Sequence, residues 1–428
     1  MPPFSRVSLL LICACGLLWA DSFGGNRQAR ANAMIVATLP PMQTVTPPKP
    51  APTEIDPLDT SFFPPDPLIP NSVPLSSFQR RRLTQALDQL HQQGQELSQQ
   101  GQDEAAFTVW YRELRGRRSL GTLAEIDALG RVGGIAWEKS RKEDVLRIQK
   151  RLEVVKQEEQ SRAPLTPEVL TALATAYQRM RSLDEAIAVH QGLAANARQQ
   201  KNLKAEEQAL GVLGELYLAK FDYPNAAIIY EDLLARAQAR KNAYLEGIYL
   251  QKLARIYQQA AEPENAVRIK EQLVQRHIKD QKLDLVADLK IALGDDYEKL
   301  KQSEKASQNY QSAYSIAWSL QQFGAAGLAL KKLANLYQTY QQPNYALQIY
   351  QKLLRVEQQS YNYYGLMKTY EQIAQLYRTA KQYDPALVAY QQALALARSL
   401  QYTEQETYFL NQIQAVYGEK NPQPGREN

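Results

Sequence analysis

The sequence predicts an all-α protein in which antiparallel helix hairpins stack into an α-solenoid, and three observations support this prediction. The chain is rich in Ala, Leu, Gln, Glu and Lys, whereas glycine and strand-like runs of Val, Ile and Thr are sparse. A tyrosine recurs at a constant spacing of forty positions from Tyr177 to Tyr417, and an alanine stands nine positions after each of the first six. Chance does not keep such positions in phase over six units, so the chain contains an internal repeat.

Each repeat predicts a hairpin of two antiparallel helices. A leucine or isoleucine and a small residue precede each tyrosine by four and three positions, as in Leu213, Gly214 and Tyr217, and fall on one stripe of a first helix. A break such as "QQPN" follows, with its proline placed to open a second helix. Helices approach closely only where side chains are small, so the small residue and the alanine mark the crossing and the tyrosine fills the wedge beside it. The predicted repeat core is Tyr177, Tyr217, Tyr257, Tyr297, Tyr337, Tyr377, Ala186, Ala226, Ala266, Ala306, Ala346 and Ala386.

These positions resemble the tetratricopeptide repeat (TPR). One unit of that family is matched by Leu213, Gly214, Tyr217, Ala226 and Tyr230, and its last aromatic position by Tyr310, Tyr350 and Tyr390 in other repeats. His190 and Lys270 depart from that position. The resemblance covers residues 166–418 and implies a right-handed solenoid whose first helices line a concave groove, with helices longer than in the family's usual unit of about 34 residues. HEAT-type hairpins have a similar length but lack this phasing of tyrosine and alanine.

Residues 1–33 predict a signal peptide for export. Arg6 gives a positive start, residues 7–20 are largely apolar, and Ala31 and Ala33 provide a small-x-small cleavage site. The sequence therefore predicts an exported protein in the periplasm or an equivalent lumen, reached by the general secretory route. An uncleaved anchor and a lipidated N-terminus at Cys15 are the alternatives. Both cysteines of the chain lie in this segment, so a cleaved chain would hold no thiol and no disulfide.

The rest of the chain divides by composition and by repeat phase. Residues 34–76 hold a dozen prolines and predict an extended, disordered spacer. Residues 77–165 predict two degenerate helical repeats, and the glycines of "LGRVGGIAW" indicate a frayed or irregular unit there. Residues 166–405 hold six tetratricopeptide-like repeats, 406–418 predict a capping helix, and 419–428 predict a flexible tail.

Histidines and carboxylates form no catalytic or metal-binding pattern in the sequence. His190 takes the repeat's aromatic position and is predicted to pack in the core, whereas His91 and His277 are predicted to lie on exposed helix faces. Asp295 and Asp296 are predicted to be a solvated pair, since neighbouring side chains on a helix point about 100° apart. Neither a glycine-rich phosphate loop nor a nucleophile elbow occurs. The sequence therefore predicts a protein that is not an enzyme and that needs no cofactor and no metal.

The resemblance to the tetratricopeptide repeat implies ligand contacts two positions before and one position after each repeat tyrosine. Lys331 and Asn335 also match the first two positions of that family's carboxylate clamp, but the remaining clamp positions are not matched. The candidate groove contacts are Thr175, Gln178, Glu215, Arg255, Gln258, Asp295, Glu298, Lys331, Asn335, Gln338, Gln375 and Arg378. This mixed polar lining suits an extended polar or amphipathic peptide. The predicted function is a non-enzymatic scaffold that binds a partner protein or peptide in an extracytoplasmic compartment.

A self-assembling or membrane-surface-associated structural protein of the cell envelope is the alternative. The segment 360–370 is rich in tyrosine, which favours a contact patch around Tyr361. The expected oligomeric state is a monomer or a weak self-association. Arginines at 80–82 and 112–118 could meet an anionic membrane surface. The net charge of +5 is small for a polyanion-binding chain of this length, so no nucleic-acid partner is predicted.

Overall fold

The computed structural model describes residues 56–69 and 74–421. The predicted signal peptide, most of the proline-rich spacer and the residues after 421 lie outside the described residues. Within the described ranges, no helix is long and apolar enough to cross a membrane.

Helices make up nearly all of the described residues, which contain no strand. The helices are α1 (Ser77–Gln99), α2 (Asp103–Arg117), α3 (Thr122–Glu138), α4 (Lys142–Arg162), α5 (Pro167–Arg179), α6 (Leu183–Gln199), α7 (Leu203–Ala219), α8 (Tyr223–Ala239), α9 (Ala243–Gln259), α10 (Pro263–Lys279), α11 (Val286–Lys299), α12 (Ser303–Ser319), α13 (Phe323–Thr339), α14 (Pro343–Gln359), α15 (Tyr363–Thr379), α16 (Tyr383–Ser399) and α17 (Thr403–Lys420). From α5 onward each helix packs on the next, as hairpins stacked in sequence. The predicted all-α solenoid of helix hairpins is confirmed.

The backbone pattern recurs with every helix, every twenty residues, whereas the side-chain pattern recurs with every hairpin, every forty residues. Most helices from α6 to α16 have the same length, and three residues connect each to the next except between α10 and α11, where residues 280–285 include a 3₁₀ turn. The middle residue of each connection adopts a left-handed conformation, with φ between 53° and 60°. These residues are Arg181, Lys201, Phe221, Lys241, Ala261, Gln281, Lys301, Gln321, Gln341, Tyr361, Lys381 and Gln401. Turns within a hairpin and turns between hairpins therefore share one backbone design.

The connection between α7 and α8 shows why three residues suffice. The N–H of Phe221 donates to the carbonyl of Leu218 (3.0 Å), and the N–H of Asp222 donates to that of Tyr217 (2.9 Å). Together with the left-handed residue between them, these bonds form a Schellman motif that ends α7. The Asp222 carboxylate then accepts the N–H of Asn225 at 3.2 Å and caps α8. Asp222 thus takes part in ending α7 through its backbone N–H and in starting α8 through its side chain.

The rings of the second helices pack over the small residues of the first helices. A Cβ atom on Gly214 would lie 2.8 Å from the ring of Tyr230, and one on Gly294 would lie 2.3 Å from that of Tyr310. The wedge that the sequence assigned to the first-helix tyrosine is thus filled by the second-helix ring. The repeat alanines Ala186, Ala226, Ala266, Ala306, Ala346 and Ala386 are all fully buried. The first-helix tyrosines Tyr177, Tyr257 and Tyr297 are buried, whereas Tyr217, Tyr337 and Tyr377 are half-buried.

Stacking is irregular between α3 and α5. The sequence indicated a frayed or irregular unit at three glycines, but α3 is continuous through all of them. A Cβ on Gly130 would lie 2.8 Å from the Cα of Ala176, and one on Gly133 would lie 2.3 Å from the sulfur of Met180. The glycines therefore let α5 pack directly on α3, and α4 makes few contacts with α5.

Residues 56–69 pack against the helices instead of forming the extended spacer predicted for them. Leu58 is only 3% exposed and belongs to the main apolar core. Leu68 packs against a smaller cluster formed by α1 and the 3₁₀ turn Arg118–Leu120. Proline content predicted this segment wrongly because two short turns, described below, direct its leucines inward.

The last helix ends the stack of described helices. Phe409 and Val416 of α17 are fully buried against α16 and its neighbours. Gln414 stands three positions before Tyr417, where the six preceding repeats carry alanine or glycine, and it is exposed. Its long side chain occupies the position where a second helix would otherwise cross.

Tyr257→Ala should lower the free energy of unfolding by about 3–5 kcal/mol, because it removes a buried ring from a middle repeat. Tyr257 is 6% exposed. Tyr244→Ala is the matched control, since Tyr244 lies on the same helix and is 76% exposed. The control should change the free energy by no more than about 0.5 kcal/mol in urea titrations followed by circular dichroism. Equal effects of the two substitutions would contradict the repeat core described above.

Lys241→Gly and Gln251→Gly should have opposite effects on stability. Lys241 is exposed and holds a φ of 55°, a conformation that costs a non-glycine residue about 1 kcal/mol. Gln251 is exposed in the interior of α9, where glycine costs about 1 kcal/mol relative to a good helix former. Thermal unfolding should therefore show an unchanged or higher midpoint for Lys241→Gly and a lower one for Gln251→Gly. A clear loss for Lys241→Gly would contradict the shared turn design.

Candidate functional site

The candidate groove contacts form one polar row along the first helices α5, α7, α9, α11, α13 and α15. The two positions in each repeat are three positions apart, so they share a helix face. Arg255, Gln258, Thr175, Glu215 and Asn335 are exposed. Those that are half-buried are Gln178, Asp295, Glu298, Lys331, Gln338, Gln375 and Arg378. We call these twelve residues the polar row.

Tyrosine hydroxyls of the second helices end at the polar row. Tyr230 donates its hydroxyl proton to Glu215 (2.5 Å), and Tyr310 donates to Asp295 (2.6 Å). In both hairpins the acceptor precedes the tyrosine by the same fifteen positions. A hydroxyl buried without a partner would cost about 1–3 kcal/mol, so these carboxylates stabilise the core as well as lining the surface.

The hairpin of α13 and α14 repeats the arrangement with amides in place of carboxylates. Tyr350 donates its hydroxyl proton to the amide oxygen of Asn335 at 3.2 Å. The amide nitrogen of Gln338 donates to the same hydroxyl at 3.0 Å. Neutral partners thus satisfy this ring, whereas α7 and α11 use carboxylates.

Burial and the neighbouring carboxylates keep these tyrosines protonated. Burial and the hydrogen bond to Glu215 raise the pKa of Tyr230, and burial and Asp295 raise that of Tyr310. Burial raises the pKa of Tyr350 to about 12. Burial also opposes ionisation of Glu215, but hydrogen bonds from Lys252 and Tyr230 outweigh it and lower the pKa of that carboxyl. The hydroxyls therefore remain hydrogen-bond donors at any physiological pH.

Ion pairs connect the polar row from one repeat to the next. Lys252 on α9 lies 2.5 Å from Glu215 on α7, and Lys332 on α13 lies 2.9 Å from Asp295 on α11. Further along the stack, Arg378 on α15 lies 2.5 Å from Glu419 on α17. These pairs join successive first helices and leave few row charges free.

The remaining row residues also have partners close by, with two exceptions. Lys331 lies 2.8 Å from the buried Glu357, and the amide of Gln375 lies 3.3 Å from Glu371 on its own helix. The side chains of Arg255 and Gln258 on α9, in contrast, form no hydrogen bond or ion pair with any residue that the structure describes. Both are exposed. The freely available part of the polar row is therefore the C-terminal end of α9.

Lys270 takes the aromatic position of α10 and turns away from the polar row. Its ammonium lies 2.6 Å from the Asp296 carboxylate, and their side chains are 4% and 2% exposed. The expectation of a solvated Asp295–Asp296 pair is thus wrong for Asp296, because α10 covers that face of α11. Lys299 lies 3.0 Å from the same carboxylate and completes its neutralisation.

The three histidines are all partly or fully enclosed, although the sequence suggested exposure for two of them. His190 is buried, and its Nε2 lies 3.1 Å from the amide nitrogen of Gln178. His277 was predicted to be exposed, but it is buried because α11 covers the end of α10. His91 was also predicted to face solvent, yet its Nδ1 lies 2.9 Å from the fully buried Glu113 of α2. These corrections arise from contacts between helices, which a single-helix pattern does not reveal.

Shallow clefts recur at one position of the repeat beside the polar row. A cleft of about 310 Å³ lies between α13, α14 and α15, with Asn335, Tyr350 and Gln372 in its lining. A second cleft, of about 300 Å³, lies between α5, α6 and α7. Six lining residues of the second cleft stand four repeats before six of the first: Thr171, His190, Leu193, Gln208, Ala209 and Val212. Two repeats therefore form a cleft from equivalent positions.

A larger cleft lies away from the polar row. It has a volume of about 780 Å³, runs along α10 between α9 and α11, and includes Arg268, Glu271 and Lys279. Its lining contains no residue of the polar row. No group of three or more His, Cys, Asp or Glu side chains suited to a metal occurs in the described ranges.

The wild-type chain should lose more stability on mild acidification than His190→Tyr. Burial lowers the pKa of His190 below the value of about 6.5 expected in an unfolded chain. Between these two values the unfolded state binds more protons, so the free energy of unfolding falls as the pH drops below about 6.5. Tyrosine is the residue found at this position in other repeats. Between about pH 7.5 and pH 5.5 the thermal midpoint should fall further in the wild type than in the variant, and parallel pH profiles would refute this reasoning.

Comparison with known proteins supports the repeat assignment. Residues 368–400, which span most of α15 and α16, match the family model "Tetratricopeptide repeat". No curated protein matches the sequence significantly.

Several solved structures are similar over part of the chain. BtubC (BKLC) from P. vanneervenii is 20% identical, covers 57% of this chain and 96% of its own, and has a TM-score of 0.33. A putative kinesin light chain with TPR-like repeats from Podosopora anserina is 17% identical, with coverages of 45% and 95% and a TM-score of 0.35. Aspartyl phosphate phosphatase F from Bacillus subtilis is 14% identical, with coverages of 68% and 79% and a TM-score of 0.36. The resemblance to the tetratricopeptide repeat is confirmed at the α15–α16 hairpin, whose turn design the neighbouring hairpins share.

Proposed function

We propose that this protein is a non-enzymatic scaffold that binds an extended segment of a partner protein along the polar row, in an extracytoplasmic compartment. The observation that carries the proposal is the recurrence of the same cleft at the same repeat position beside the row. A ligand running along the row could place one side chain in each of these two clefts. The compartment rests on the predicted signal peptide alone.

The C-terminal end of α9 is the proposed centre of recognition. Arg255 and Gln258 can bind a ligand without giving up an internal hydrogen bond, because they have none among the described residues. Glu215 and Asp295 would have to release a tyrosine hydroxyl or a lysine, at a cost that offsets the new contact. An arginine without a counter-ion favours a carboxylate or a backbone carbonyl opposite it. We therefore expect an acidic or carbonyl-rich stretch of the partner to meet α9.

The pairing of the row residues supports a binding role rather than catalysis. Glu215 and Asp295 are neutralised by lysines and accept hydrogen bonds from tyrosine hydroxyls, and the raised pKa values of those tyrosines keep them protonated, so they do not act as bases. His190 is held by Gln178 and lies beside no hydroxyl or thiol nucleophile in the contacts described. The cluster thus lacks the paired nucleophile and base that hydrolytic chemistry requires.

Self-association through the turn between α14 and α15 is the second candidate. Tyr361 at this turn is 78% exposed, and Tyr364 makes an edge-to-face contact with Tyr402 of the next such turn at 6.0 Å. Exposed tyrosines are enriched in contact patches. The structure lends less support to membrane attachment through the arginines at 112–118, because several of them are engaged with residues 56–69.

The polar-row proposal is tested by capture of partners from envelope extract with Arg255→Ala/Gln258→Ala. The matched control is Arg355→Ala/Gln358→Ala, which removes the same residue types at the same spacing from the exposed face of the second helix α14. The partner is identified by mass spectrometry with the wild-type protein, and its affinity for all three proteins is then measured. Losing a charged hydrogen bond costs about 1.5–3 kcal/mol, or roughly 10-fold to 100-fold in affinity.

Only the row variant should lose affinity, with unchanged helicity. Equal binding by the row variant and the wild type would refute recognition at α9. Equal loss in the control would show that the surface charge as a whole, and not the row, attracts the partner. Recovery of only the protein itself would favour the tyrosine patch.

A further inference from the structure

The arginines near the end of α2 hold residues 56–69 against the helices. Arg112 donates to both oxygens of the Asp66 carboxylate, at 2.6 Å from Nε and 3.0 Å from Nη2. The guanidinium carbon of Arg115 lies 3.9 Å from the centre of the Phe63 ring. A bidentate carboxylate pair and a cation–π contact are both specific in geometry. The basic patch expected from the sequence is therefore largely occupied.

The same arginines also bind the backbone of this segment. Arg115 donates to the carbonyl of Pro57 at 2.5 Å, and Arg118 donates to the carbonyl of Leu58 at 2.5 Å. Pro57 and Leu58 both lie in the turn that the N–H of Asp59 closes by donating to the carbonyl of Asp56 at 3.0 Å. Side chains of the helices supply all of these donors, and they would meet the same sequence equally well from another chain.

The bound segment contains the tripeptide Asp-Pro-Leu twice, ten positions apart. The Asp56 carboxylate accepts the N–H of Leu58 at 2.9 Å, and the Asp66 carboxylate accepts the N–H of Leu68 at 3.0 Å. Each aspartate thus closes an Asx turn around a proline whose φ is already fixed. The two turns present Leu58 to the main core and Leu68 to the cluster beside α1. A preformed turn with one apolar anchor is a compact recognition element.

Charge at this surface is not fully matched by the bound segment. Arg115 forms no ion pair with a carboxylate of the described residues, and its partners are a carbonyl and an aromatic ring. Burial lowers the pKa of its guanidinium, which indicates a cation without full compensation. A ligand with one more acidic group near this arginine would complement the surface better than the chain's own segment does.

We propose that Arg112, Arg115 and Arg118, with the two leucine sockets, form a peptide-binding site for Asp-Pro-Leu turns that this chain fills with its own residues 56–69. The occupant that competes for the site is an extended segment of a partner protein carrying the same turn. Because the chain's own segment is tethered, its effective concentration is in the millimolar range. An incoming segment must therefore carry two turns or an additional acid to displace it. This site is separate from the polar row and does not depend on it.

The test uses the full chain with the segment released by Leu58→Ser/Asp66→Asn. The matched control is Phe62→Ser/Asp59→Asn, which makes the same kinds of change at exposed positions of the segment that form no hydrogen bond or ion pair with the three arginines. The probe is a fluorescent peptide of residues 56–69, followed by anisotropy. The release variant should bind the probe at least tenfold more tightly than the wild type and the control. Adding Arg112→Ala and Arg115→Ala to the release variant should abolish that gain.

Several outcomes would overturn the proposal. A folded release variant that binds the probe no better than the wild type would show that the surface does not act as a peptide site. Tight binding by the wild type would show that residues 56–69 do not occupy it. Concentration-dependent dimers of the release variant would assign the site to a second copy instead of a partner protein.

Hydrogen exchange provides a measurement that does not rely on the release variant. Asp66→Arg should accelerate amide exchange at Leu58, because it sets two cations against each other and releases the segment. The amide of Leu68 is not a suitable readout, because its N–H donates to the Asp66 carboxylate itself. Combining Asp66→Arg with Arg112→Asp should restore slow exchange by reversing the pair. Unchanged exchange in Asp66→Arg would refute the role of the arginines.

Discussion

The constant step of twenty residues from the start of one helical segment to the start of the next, from α6 onward, is the constraint on which the rest of this structure depends. One left-handed residue ends each helix through a Schellman motif, and the next residue opens the following helix, so the backbone advances by a constant step from helix to helix. Every second helix then returns to the same orientation. The polar row and the recurring clefts exist because residues one repeat apart occupy equivalent places.

Core packing in turn decides which surface groups are free to bind. A tyrosine over a glycine fills the crossing of two helices, but its hydroxyl must find a partner where it emerges. Glu215 and Asp295 serve as those partners, and lysines from the next repeat neutralise them. What looks from the sequence like a line of available ligand contacts is therefore mostly an internal hydrogen-bond network. The hydrogen bonds that core tyrosines require thus decide which surface side chains remain available to a ligand.

The sequence predicts the fold much better than it predicts the site. Periodicity identifies the hairpins because apolar and small residues report their own helix faces, and it locates the polar row. It does not reveal that Tyr310 reaches Asp295, or that His277 lies under α11, because those neighbours belong to different helices. The glycines of α3 cost helix stability locally, and an irregular helix was predicted from that cost. Their observed effect is the close approach of α5. The doubled Asp-Pro-Leu was a readable signal in the proline-rich segment, but total proline content obscured it.

Lys270, which stands where other second helices carry a tyrosine, explains why the polar row has side chains without internal partners at α9. In the hairpins that begin with α7, α11 and α13, a second-helix tyrosine donates to the row residue fifteen positions earlier. In the α9–α10 hairpin that position is Lys270, which turns to the buried Asp296 and leaves the row. No hydroxyl then reaches Arg255, and Arg255 and Gln258 remain without internal partners among the described residues. A tyrosine at 270 would have brought a hydroxyl to α9 and left Asp296 with Lys299 alone. Because of this buried ion pair, the row side chains of α9 are left without partners. In the other three hairpins the equivalent row residue bonds to a tyrosine of the core.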